Sequence, residues 1–156
     1  MKHLFEQNET DKYAALRKKH ITTLVVLCVA MLVPTVLAVV LWRVLGRAIA
    51  QIVATVCTAA LGCACVYLAQ AIALDGKQFK FVQQMTVKQP KEVHISGFTV
   101  DKNTTTNNGL TFRQVTANTD DGERLLYLYP GKEVDEAATK LYVVDKYICG
   151  YEVEYE

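Results

Sequence analysis

The stretch Ile21 to Trp42, ITTLVVLCVAMLVPTVLAVVLW, runs for 22 residues without a charged side chain. At about 1.5 Å of rise per residue a helix of that length covers roughly 33 Å, enough to cross a hydrocarbon layer about 30 Å thick. A second uncharged run, Ala48 to Leu74, is 27 residues long, and only Arg43-Val44-Leu45-Gly46-Arg47 separates the two. So short a link makes the helices antiparallel neighbours. The reading is a transmembrane helical hairpin with spans at about residues 21–42 and 48–72. A cleaved signal peptide fits poorly, because its apolar region runs to only about 7–15 residues and does not follow a long charged arm.

Working outward, the average composition conceals two unlike halves. The chain has 156 residues, 51% of them hydrophobic, and a net charge of +1. Residues 21–74 carry only Arg43 and Arg47, whereas residues 75–156 carry 10 basic and 13 acidic side chains. The net charge is +2 over residues 1–20, +2 over 21–74 and −3 over 75–156. This excludes a single soluble domain, since a polar remainder of that size cannot cover two apolar helices.

Basic residues near the helix ends set the orientation. Lys12, Arg17, Lys18 and Lys19 precede the first span, and Lys77, Lys80, Lys88 and Lys91 follow the second. The tip has Arg43 and Arg47 alone. Both termini are therefore expected in the cytosol, with Arg17, Lys18, Lys19, Lys77 and Lys80 as the main determinants. The basic arm of residues 1–20 is expected to continue the first helix inward from a start near Asn8 or Thr10, both good N-caps.

Within the spans, small residues recur at four-residue spacing: Ala50, Ala54, Thr58 and Gly62 in the second, and Ala30 and Ala38 bracketing Pro34 in the first. That spacing lets helix backbones approach closely in lipid. It serves packing inside the hairpin or self-association, or arises by chance in an Ala-rich span. Pro34 should kink the first span, because it has no N–H to donate. Cys28, Cys57, Cys63 and Cys65 lie inside the spans, where cysteines are small apolar packers. Cys63 and Cys65 stand on opposite helix faces, so no metal site is expected there. With no Asp, Glu, Lys or His between residues 21 and 74, a proton or ion pathway within this chain alone is disfavoured.

The third segment, residues 78–156, shows strand and turn chemistry. Phe79 to Lys88 reads as a strand stopped by Gln89-Pro90, and Val93 to Val100 as a strand with a bulge at Gly97. Asp101 to Gly109 reads as a loop. Leu110 to Ala117 and Arg124 to Tyr129 read as a hairpin turning at Asn118 to Gly122. Val134, Ala137, Ala138 and Leu141 fall at i, i+3, i+4 and i+7, predicting one short helix. Leu141 to Tyr155 alternates again, with a change of phase near Asp145-Lys146. Five or six short strands and one short helix make a small OB-like or SH3-like barrel. Membrane helices followed by a small β-barrel resemble the bacterial NfeD-like proteins in architecture. The resemblance implies the barrel and carries no residue across, because no motif is shared.

No HExxH, GxSxG, GxxxxGK[ST] or CxxC motif occurs, so neither an enzyme nor a metal or cofactor site is expected. A net charge of −3 over residues 75–156 disfavours nucleic acid. The tyrosines of the last strand read first as the barrel's half-buried face. If displayed, Tyr147, Tyr151 and Tyr155 suit a protein partner. The expected function is non-enzymatic: a two-span protein of the cell membrane, held in the lipid bilayer, presenting a cytosolic β domain for protein interaction or membrane-associated assembly. The alternative is an accessory or oligomeric subunit of a transporter or channel, in which the hairpin is the functional part.

Overall fold

The computed structural model describes residues 1–154, the side chains of Thr35 and Leu45 excepted. The chain divides into two compact units, one of Ala14–Gly76 and one joining Met1–Tyr13 to the segment from Lys77 onward.

The first unit is helical. Helices α1 (Gln7–Ala30) and α2 (Leu32–Leu45) form one stretch interrupted at Met31, and α3 (Arg47–Val87) follows Gly46. The interruption lies three residues before Pro34. Proline has no N–H for the carbonyl of Ala30, four residues back, and its ring crowds that group. The Met31 N–H is shared between the carbonyls of Leu27 at 3.1 Å and Cys28 at 3.3 Å. Asn8 and Thr10 lie in the first turn of α1, which starts at Gln7, and do not cap it. Two helical stretches, Gln7–Val44 and Arg47–Val87, are long and apolar enough to cross a membrane.

The second unit is a closed five-stranded β-barrel. Its strands are β2 (Lys91–Asn107), β3 (Leu110–Thr119), β4 (Gly122–Leu128), β5 (Lys140–Val144) and β6 (Tyr147–Glu152). Antiparallel pairs β2–β3, β3–β4, β2–β5 and β5–β6 run around the barrel. The seam is closed by β4 beside β6, a parallel contact with a single paired position, Tyr127 opposite Tyr147. Strand β1 (Lys2–His3) fills the rest of that seam, with Lys2 opposite Tyr151 and His3 opposite Gly150. Gly150 permits the approach, since a Cβ there would stand 2.9 Å from the Lys2 carbonyl oxygen.

The barrel core is Val115, Leu141, Phe112, Ile148 and Leu128, each at most 2% exposed, joined by side chains from outside the sheet. Phe81, Val82 and Met85 project from the last turns of α3, and Leu4 and Phe5 follow β1. Phe81 lies 5.2 Å from Phe112, 5.1 Å from Tyr147 and 5.8 Å from Phe5, ring centre to ring centre.

Three local expectations are corrected. Phe79 to Lys88 is helical as far as Val87, not a strand. One internal glycine costs a helix only about 1 kcal/mol, so Gly76 does not stop it, and Phe81, Val82 and Met85 bury one helical face. Asp101 to Gly109 is not a loop: β2 runs to Asn107 and turns on Asn108-Gly109, with φ of 54° and 77°. Two positive φ values make the tight turn whose twist matches antiparallel strands. The short helix at Val134 to Leu141 is absent. Ala138 and Leu141 are buried as expected, but the Asp135 carboxylate accepts the Ala137 N–H at 3.1 Å and holds a turn instead. Two isolated turns of helix are marginal in water. The bulge next to Gly97 and the turn at Asp145-Lys146 are where the sequence places them.

Candidate functional site

In a hairpin with its tip at Gly46, residues equidistant from the tip face each other. Pro34 then meets Thr58, Ala38 meets Ala54, and Trp42 meets Ala50. These residues, with Val39, Arg47 and Gln51, line a groove of about 390 Å³ between α2 and α3. Five of the seven residues expected to pack helices are thus brought together. Ala30 lies at the end of α1 and does not line the groove, and a Cβ at Gly62 would meet nothing within 4 Å, so no close approach uses that glycine.

A side-chain pair joins the helices at the other end of the hairpin. His20 Nδ1 lies 2.6 Å from Asp75 Oδ2, and Asp75, 8% exposed, is the buried acid among the described residues. Neither was singled out in the sequence. The signal was available, because His20 and Asp75 bracket the two apolar runs at nearly equal distances from Gly46.

On the barrel, Lys77 and Lys80 stand at the mouth of a small pocket of about 200 Å³ whose floor is Phe81, Phe112 and Tyr147. The Asn107 side-chain amide donates to the Tyr147 hydroxyl at 2.8 Å. Tyr147 is therefore half-buried in an aromatic cluster. Tyr151 is only 6% exposed, with the Lys2 ammonium 5.5 Å from its ring centre, so it packs the seam and is not displayed to a partner. Tyr155 lies outside the described residues. Arg17, Lys18 and Lys19 are exposed on α1.

Among the described residues of the barrel strands, the large apolar side chain left exposed is Leu125, 48% accessible, on β4. It lies in a shallow groove of about 440 Å³ among Lys91, Glu92, Arg124, Asp145 and Lys146. An apolar centre with a rim of both charges is chemistry suited to a polypeptide.

Cys149 offers no reactive site. Its thiol donates to the Tyr142 carbonyl at 3.1 Å, and burial pushes its pKa up to about 11. A variant retaining Cys149 as its single cysteine should alkylate, while folded at pH 8, roughly a hundredfold slower than a free thiol, since the thiolate is the attacking form. Maleimide kinetics with and without urea check this; native reaction at the free-thiol rate would contradict the burial. No group of three His, Cys, Asp or Glu residues able to hold a metal occurs among the described residues. Compared with known proteins, the chain matches no family model, no curated protein and no solved structure.

Proposed function

We propose that this chain is a two-span membrane protein whose hairpin holds a small OB-like barrel in the cytosol as an interaction module for a protein partner. One observation carries the membrane part. Among the described residues, eighteen large apolar side chains between Ile21 and Leu74 are exposed, including Val25, Val29, Val33, Val36 and Ile52, each more than half accessible. At about 1.5–3 kcal/mol for a fully exposed side chain, and with these between 41% and 73% accessible, leaving that many in water forgoes roughly 15–30 kcal/mol of burial, beyond the ~5–15 kcal/mol stability of a folded domain. In the most apolar stretch of each helix only 6% and 0% of residues are buried, which is unlike the core helices of a soluble protein. A bilayer supplies the missing cover.

The Greek-key order, with β6 returning beside β4 in the single parallel pair, supports the OB-like reading over the SH3-like one. The partner's seat is the groove around Leu125. A photo-crosslinking residue at Leu125 in the full chain should give one discrete adduct in cells, and Leu125→Asp should weaken co-purification of that adduct's partner at least tenfold. Replacing the hairpin with an unrelated two-span anchor should leave the adduct in place. Loss of the adduct on that replacement would overturn the reading and make the hairpin itself the functional part, as in a transporter subunit.

A further inference from the structure

The groove between α2 and α3 is lined mostly by small side chains and is open. Ala38, Ala50, Ala54 and Thr58 are too short to fill it, and Pro34 lines its far end. Its lining is apolar along most of its length. Arg47 and Trp42 stand at the end nearest the tip.

Charge decides what can fill it. Arg43 and Arg47 lie within five residues of each other, and residues 21–74 contain no Asp or Glu. Among the described residues neither guanidinium has an ion-pair partner. A guanidinium at the edge of a low-dielectric layer is held best by an anion able to take its fork of N–H donors, and phosphate is such an anion. The first-turn amides of α3 point toward the tip and add to the same field. A second copy of this chain is a poor occupant. Copies inserted alike bring Arg43 and Arg47 to the same membrane face, so their tips repel. A lipid brings both requirements in one molecule, an anion at the surface and a narrow apolar chain below it.

We infer that the α2–α3 groove seats one acyl chain of an anionic phospholipid whose phosphate rests on Arg47. The inference rests on the membrane reading above and adds a specific ligand to it.

Trp42 is the chain's single tryptophan and lines this groove, so its fluorescence reports occupancy. The full-length protein is reconstituted in phosphatidylcholine vesicles in which a minor fraction of the lipid carries brominated acyl chains. Brominated phosphatidylglycerol should quench Trp42 several-fold more than the same fraction of brominated phosphatidylcholine. Arg47→Gln and, separately, Ala54→Leu should each reduce the phosphatidylglycerol signal to the phosphatidylcholine level. Equal quenching by the two lipids in the unaltered protein overturns the inference and leaves the membrane reading intact. Quenching by both below their mole fractions, with Trp42 crosslinking between chains, also overturns it, since a second copy then fills the groove. No quenching in vesicles made wholly of brominated phosphatidylcholine removes the membrane reading itself.

Discussion

Replacing Phe81 with alanine should unfold a large part of the barrel population in the full-length protein. Phe81 is 8% exposed and contacts four aromatic rings, those of Phe5, Phe112, Tyr129 and Tyr147. Truncating a core phenylalanine costs about 3–5 kcal/mol. Stabilities of about 0.05–0.15 kcal/mol per residue put a unit of this size within reach of that loss. Phe79→Ala is the informative control. On a strand Phe79 and Phe81 would share a face and cost alike; on a helix they diverge, and Phe79 is only half-buried. Urea unfolding of the detergent-solubilised protein, followed by hydrogen exchange at barrel amides, should give a much lower midpoint for Phe81→Ala than for Phe79→Ala. Equal shifts would contradict the helical packing.

The second large effect is expected at the other end of the chain. Removing residues 1–5 takes away β1 and the core side chains Leu4 and Phe5. It leaves the β4–β6 seam held at one paired position, with the Cys149 carbonyl losing the Leu4 N–H at 2.9 Å. Losing the two apolar side chains alone costs roughly 5 kcal/mol or more. A fragment beginning at Lys77 should therefore be β-rich but weakly cooperative in thermal unfolding. A peptide of residues 1–13 added in trans should sharpen the transition and raise its midpoint by about 10 °C or more, at roughly 4–8 °C per kcal/mol for a domain of this size. An identical melt with and without the peptide would show that the N-terminal segment is not part of the core.

These two results bear on what a linear reading can reach. The apolar runs, the short link, the helix break ahead of Pro34, the bulge beside Gly97 and the turn at Asp145 are local signals, and the structure has them where the residues put them. The contribution of Leu4 and Phe5 is not local. Nothing near residue 5 announces a partner at Phe81 or Tyr129, because the contact spans most of the chain. The misread segment at Phe79 carries two competing patterns. Phe79-Lys80-Phe81 alternates like a strand, while Phe81, Val82 and Met85 keep helical spacing over a longer window. The longer pattern prevails because extending a helix costs less than starting a new element. At Val134 to Leu141 the helical spacing holds for burial only at Ala138 and Leu141, since Ala137 is exposed, and it fails as a conformation because Asp135 offers the backbone a turn. In the hairpin, the small residues were legible as a stripe. Their use in lining an open groove was not, because that depends on the register set at Gly46.

The central claim is a hairpin that keeps the barrel in the cytosol and exposes its tip on the far side. It is tested most directly by cysteine accessibility in a background with all five cysteines replaced by alanine. Val44, 73% exposed, reports the tip, and Asp121, 79% exposed in the β3–β4 turn, reports the barrel. With an impermeant maleimide on intact cells, Val44→Cys should label at once and Asp121→Cys only after permeabilisation. Labelling of Asp121→Cys in sealed cells would contradict the account, inverting the hairpin if Val44→Cys stays silent and dissolving it if both react.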